Sequence, residues 1–446
     1  MDILATILIA LFVIASLVIL FTSIWNFTLG FQITIIMLFI VWSVKPPIAS
    51  FDIFPFLRIN STFLLLGWII NIFREKLFIP PSLSAKYYWF FIVTCYISAV
   101  ISFEGIPIIL RATTYIEPIL FFYFALSVIY TYNNSKKIIT PIIIGLVISI
   151  LYGIYEVIFQ ENIFYSLNML HLEESYLSDV RFLVSGRISL FIGQPVYAAS
   201  LLLIFTPLIL YYRNEVVSSK TGKRFFAIVI ILSLVLIVFT GTRSAFVSFF
   251  VLLFTYLLVF SSSRIKIGFI VSVTLISIAV VMPPEFLEYL QNSFTLSSTE
   301  SANVFQRYDL TQRLFDLFFE HPFFGFGPGF IQKIASSDLI TRFRGLEGQE
   351  NHYFMILADT GIFGLSFYLM YVTSVFKEIR NGIRLLDKKE HEFSKYLLVI
   401  CIGLFFISVS VMMLNSPLMH LVMILLGING AHIARINNTK QIIIIA

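Results

Sequence analysis

The sequence predicts an all-α, polytopic membrane helical bundle of about 12–13 transmembrane helices with one large, partly helical extracytoplasmic loop. Three observations predict it. Hydrophobic residues make up 59% of the chain and charged residues only 12%, about half the charged share of a water-soluble domain. Apolar stretches of about 18 residues or more recur along the whole length. Two long loops, 160–189 and 283–350, interrupt the series.

The apolar spans fall at 3–22, 27–43, 56–73 (interrupted by Arg58), 87–103, 111–132, 138–159, 190–212, 224–241, 244–261, 265–282, 351–376, 396–414 and 416–434. The first, from Ile3 to Phe21, has no basic leading region and no small-residue cleavage site, so it reads as a retained helix and not a signal peptide. Cys95 and Cys401 sit inside apolar segments without the clustered spacing of a zinc or redox site. The net charge of +5 reflects membrane topology, since no long basic run marks a nucleic-acid partner.

Orientation follows from the basic loops. "NNSKK" (133–137), "YRNEVVSSKTGKR" (212–224), "SSSRIK" (261–266) and "KEIRNGIRLLDKKEHEFSK" (377–395) hold nearly half of the 30 Lys and Arg. Simple alternation of the helices puts all four on one side, which the positive-inside rule makes cytoplasmic. Three regions result: an N-terminal transmembrane bundle (1–282), a large periplasmic loop (283–350), and C-terminal transmembrane helices with a cytoplasmic tail (351–446). In the loop, "RYDLTQRLFDLFFEH" places Leu310, Leu314, Leu317 and Phe318 at helical spacing, giving an amphipathic helix with one apolar face.

Guanidinium groups gather on the side that the topology rule leaves poor in positive charge. They are Arg181 and Arg187, Arg243, Arg307 and Arg313, and Arg342 and Arg344 beside Glu347, Glu350 and His352. Such a conflict with topology points to function. Arg243 stands between two apolar spans. It reads either as a snorkelling hairpin arginine or as an anion ligand whose fixed fork grips two phosphate oxygens. His352 reads as a residue on the first turn of a helix capped by Asn351, or as a base near Glu350. Glu350 reads as a solvated loop acid or as that base itself. "HPFFGFGPGF" (321–330) is a Gly/Pro turn and no nucleotide loop, because no Lys or Ser/Thr follows the glycines. No carboxylate pair or His/Cys set suits a metal ion, so the expectation is no metal and no cofactor.

Several segments, in order, resemble the bacterial O-antigen polymerase and O-antigen ligase superfamily. "TGTRSA" (240–245) is similar to its T-x-[ST]-R-[GA] signature at a helix end. "RYDLTQRLFDLFFEHPFFGFGPGF" is similar to its arginine-to-P-x2-G-x-G element. "ENHYFMILADTGIFGLSFYL" is similar to its H-N-x-x-[LI]-x-x-x-x-E-x-G-[LI]-x-G element, and "GRISLFIGQPVYAA" to a further arginine-aromatic-proline segment. The family's helix-end arginine falls on Arg243 and its loop arginine on Arg307. Asn351, Gly361 and Gly364 are in register, and Asp359 takes the acid's place. Thr311 stands where an aromatic is usual, and the family's histidine falls on Glu350.

The resemblance implies a metal-independent glycosyltransferase in the cytoplasmic membrane of a bacterium, with its site facing the periplasm. The donor would be a glycan on undecaprenyl pyrophosphate and the acceptor a sugar hydroxyl. Arg243 and Arg307 would neutralise the pyrophosphate, and Glu350 and His352 would align or deprotonate the hydroxyl. Arg187, Arg313, Arg344, Glu347, Asn351, Tyr353 and Gln194 complete the candidate surface for pyrophosphate and glycan. In-line attack predicts inversion. The displaced histidine favours a polymerase, whose acceptor is another lipid-linked repeat unit, over a ligase, whose acceptor is lipid A-core or a protein. A flippase and a chain-length regulator would be partners. A flippase or transporter is the reading from another class, and it fits less well because no internal repeat is visible.

Overall fold

The computed structural model describes residues 3–40, 56–74, 76–102, 106–163, 187–261, 312, 314–329, 351–409 and 416–445. Among them lie α1 (Ile3–Trp25), α2 (Phe27–Ile40), α3 (Phe56–Phe73), α4 (Leu83–Ile101), α5 (Ile106–Ala112), α6 (Ile116–Tyr132) and α7 (Lys136–Phe159). These are followed by α8 (Pro195–Tyr211), α9 (Lys220–Phe239), α10 (Arg243–Phe260), α11 (His352–Leu385), α12 (Lys388–Ile407) and α13 (Pro417–Ile445). No β-strand occurs among the described residues. Among the described residues, eight helices are long and apolar enough to cross a membrane and three shorter ones are apolar too, so this is a multi-pass membrane protein. The expected span 265–282 lies outside the described residues.

The helices sort by how much of their surface they bury. α13 is buried over most of its apolar stretch and packs along α6, whereas α1 and α9 leave most of theirs at the periphery. A helix apolar all round belongs either in the core or against lipid, and both cases occur here. Phe27 and Phe31 of α2 and Phe121 and Phe124 of α6 interlock as ring pairs in the core.

Contacts also show which loops share an end of the bundle. The ring of Tyr211, at the end of α8, meets Phe393 and Tyr396 near the start of α12. Tyr256 and Phe260, at the end of α10, meet Tyr396 as well. Tyr212 pairs with Thr140, near the start of α7, at 3.2 Å. The described helix ends that flank the basic segments therefore meet at one end of the bundle. At the opposite end, α4, α7, α9 and α12 finish, and α8, α10 and α11 begin. The backbone N–H of His352 donates to Ser408 O at 3.1 Å, which fixes the start of α11 against the end of α12.

Some helices run past their apolar stretches. α11 continues to Leu385 and α4 begins at Leu83, each beyond the span expected from hydropathy. A polar contact joins the two at the start of α4. The Glu378 carboxylate accepts the N–H groups of Leu83 at 2.8 Å and Ser84 at 3.0 Å, and the Ser84 hydroxyl at 2.6 Å. It thus satisfies open donors at the first turn of α4.

Candidate active site at one end of the bundle

Residues 314–320 form a short helix whose Leu314 and Leu317 are buried with Ala99, Ile108, Ala112, Met355 and Ala358. The amphipathic face read from the sequence is thus packed on α4, α5 and the start of α11, with Phe318 half-buried; Leu310 lies outside the described residues. The helix leads into the Gly/Pro turn 321–329, and that turn docks on a break in α11.

The break is at Gly361, where φ is 65° and ψ is −166°. This region of backbone space is essentially open to glycine alone. A Cβ there would also lie 2.3 Å from the carbonyl carbon of Phe323. Breaking the helix removes the bonds that would join Ala358 O to Ile362 N and Asp359 O to Phe363 N, leaving four backbone groups to satisfy. The turn satisfies all four. Phe326 N donates to Ala358 O at 3.1 Å and Gly327 N to Asp359 O at 2.8 Å. Ile362 N donates to Pro322 O at 2.8 Å and Phe363 N to Phe323 O at 3.4 Å. The two motifs that resemble one family are therefore one folded unit.

Side chains reinforce the docking. Asp359 Oδ2 accepts Gly329 N at 2.9 Å, and Ser98 Oγ donates to Asp359 O at 2.7 Å. On the other side of the same residue, Arg111 Nη1 donates to Gly329 O. At the helix start, Asn351 Oδ1 accepts Tyr353 N at 3.1 Å and Phe354 N at 3.2 Å. That is the N-cap expected of an Asn in this position.

His352 points into the protein. It is fully buried, its Nε2 lies 3.1 Å from the Tyr368 hydroxyl, and its ring packs edge-on against Tyr353 and Tyr368. Tyr353 is half-buried and donates its hydroxyl to Phe405 O at 2.9 Å, joining α11 to α12.

A second unit forms where α9 gives way to α10. Arg187 Nε donates to Thr240 O at 2.7 Å, and Nη2 reaches Thr242 Oγ1 at 3.4 Å. Ile188 N donates to Phe239 O at 3.2 Å. Gly241, at φ 59°, turns the chain beneath the Arg187 side chain, and a Cβ there would lie 3.1 Å from Arg187 Nε. Thr242 is then the N-cap residue of α10, and Arg243 is the first residue of that helix. Gln194 is the N-cap residue of α8 and half-buried, with no side-chain capping bond.

The structure thus brings Arg187 onto the turn that launches Arg243, and joins 321–329 to the Asp359–Gly361 segment. Among the described residues, His352 is enclosed beside Tyr353 and Tyr368. Arg181, Arg307, Arg313, Arg342, Arg344, Glu347 and Glu350 lie outside the described residues. Sequence reading did not single out Arg111 or Glu156. Glu156 is a buried acid near the end of α7, and its place inside an apolar helix was the signal available.

No curated protein matches this chain. A match does exist at the level of a family, and it covers the start of α10, the short helix, the docked turn and the break in α11. Residues 228–369 match the family described as O-Antigen ligase, and over this stretch the chain carries a domain of the O-antigen ligase and polymerase family.

Proposed function

We propose that the protein is a surface-polysaccharide polymerase of the bacterial cytoplasmic membrane. Enzymes of its family transfer glycans and use lipid-linked glycan substrates. On this reading the donor is a glycan on undecaprenyl pyrophosphate, and the acceptor is a sugar hydroxyl of a second lipid-linked repeat unit. The site faces the periplasm, opposite the end that gathers the basic loops. The observation that carries the reading is the docking of 321–329 onto the broken helix at Gly361, inside the matched stretch and at the bundle end where α10 begins with Arg243.

Pyrophosphate leaves as a polyanion, so catalysis consists mainly of stabilising charge that develops on the bridging oxygen. Arg243 and Arg307 supply fixed bidentate forks in surroundings of low dielectric, and no metal ion is required. Arg313 and Arg344 extend the cationic surface, and Glu347 and Gln194 contact the glycan. Arg187 supports the turn beneath Arg243. Glu350 deprotonates the acceptor hydroxyl, because it precedes the capped helix start while His352 is enclosed by Tyr353 and Tyr368. Attack opposite the leaving pyrophosphate inverts the anomeric carbon.

The ligase reading is favoured by the description of the matched family, O-Antigen ligase. The surface-polysaccharide profile of a deletion strain separates the two. Loss of long chains with a single repeat retained supports the polymerase. Long chains that accumulate without reaching lipid A-core support the ligase. An unchanged profile contradicts both. A flippase and a chain-length regulator are the partners that a polymerase would work beside.

A further inference from the structure

Glu156 is an ionisable group near the end of an apolar membrane helix, 5% exposed. Nothing in glycan transfer as derived above uses it. A carboxylate at such depth persists only where donors satisfy it. Its donors come from Asn162 and from the segment that follows Arg187. Oε2 accepts Leu190 N at 2.8 Å and Ser189 N at 3.2 Å. Oε1 accepts the Ser189 hydroxyl at 3.3 Å and the side-chain amide of Asn162. Asn162 in turn donates to Leu190 O at 3.1 Å and to Ser189 Oγ at 3.0 Å. The carboxylate and amide together grip residues 189 and 190 from both sides of the backbone.

That grip passes on within three residues. Ile188 N is bonded to Phe239 O at 3.2 Å, and Arg187 Nε to Thr240 O at 2.7 Å. Both acceptors close α9, and the chain then turns through Gly241 and Thr242 into α10 at Arg243. Residues 239, 240 and 242, just ahead of Arg243, are therefore bonded from one side by 187–188, and the next two residues, 189–190, are held by Glu156. We propose that Glu156 is a positioning residue for the transfer reaction: acting through Arg187, it fixes the turn 240–242 and so aims the arginine that starts α10. The inference rests on the reading that Arg243 binds the pyrophosphate of the donor.

The test uses the full-length purified protein as wild type, Glu156→Gln, Arg187→Ala and the pair. Glutamine keeps the shape and one acceptor, but presents a donor where Asn162 also donates. Hydrogen exchange should speed up in Glu156→Gln at the amides of 188–190 and 239–243, and stay unchanged in α6 and α13. With an undecaprenyl-pyrophosphate-linked glycan as probe, Glu156→Gln should lower kcat by about tenfold or more. The pair should be within about twofold of Arg187→Ala alone, because the two residues act in one chain. Unchanged exchange at 239–243 in Glu156→Gln, or effects on kcat that multiply in the pair, would overturn the proposal. If the wild type transfers no lipid-linked glycan at all, the functional reading fails, and the exchange measurement alone still decides the positioning role.

Discussion

Asp359 Oδ2 accepts the backbone N–H of Gly329 at 2.9 Å, while Arg111 donates to the carbonyl of the same glycine. A carboxylate and a guanidinium from two different helices therefore hold one loop residue from opposite sides. Charge-assisted bonds of this kind are roughly twice as strong as neutral ones. They fix the point at which the chain leaves the docked turn.

Replacing Asp359 should therefore loosen the turn in a graded way. Asp359→Asn keeps an acceptor for Gly329 N and should be mild. Asp359→Ala leaves that donor buried without it, at a cost of about 1–3 kcal/mol. Hydrogen exchange at Phe326, Gly327 and Gly329 reads this directly. Equal protection in wild type and Asp359→Ala would remove the carboxylate from the account.

Gly361→Ala should disrupt the same unit more severely. The backbone there has φ 65° and ψ −166°, a conformation that costs a side-chain-bearing residue about 1–3 kcal/mol. The added Cβ would also meet the Phe323 backbone at 2.3 Å. The expected outcome is a lower melting temperature and loss of activity, measured on protein purified in detergent. A variant as stable and active as the wild type would mean that the helix can close without the docked turn.

The two candidate bases should behave differently. His352→Phe fills a buried site and leaves the Tyr368 hydroxyl without its imidazole neighbour, costing about 1–3 kcal/mol of stability. Turnover of the folded variant should stay within about tenfold of wild type. Glu350→Gln should abolish transfer and leave donor binding largely intact, since the base serves the acceptor and the arginines serve the donor. The reverse pattern would return the base role to His352.

How much of this was legible in the sequence differs by feature. The helices were, because an apolar stretch in a membrane protein has few alternatives to a helix. Their ends were less so: the start of α4 at Leu83 is capped by Glu378 of α11, and the two are far apart in sequence. The packed face of Leu314 and Leu317 followed from spacing, and the Asn351 cap followed from residue type. The docking of 321–329 on Gly361 did not, because a broken helix declares its four unpaired groups only once the break exists. The depth of His352 was hidden for a similar reason. Its helix position was readable, but which face meets Tyr368 is decided by packing. Arg111 and Glu156 went unnoticed because their partners lie on other segments.

Transfer should proceed with chelator present, because arginines do the neutralising that a divalent ion does elsewhere. It should also depend on the fork of Arg243 and not on its charge alone. One measurement tests both: the initial rate of transfer from an undecaprenyl-pyrophosphate-linked repeat unit to a second unit, by purified protein in EDTA, for wild type and Arg243→Lys. The account predicts elongation by the wild type in EDTA and a loss of about 10²–10³ in the lysine variant, as for removal of one charge-stabilising donor. An absolute requirement for added Mg²⁺ or Mn²⁺, or near wild-type turnover by Arg243→Lys, would contradict it.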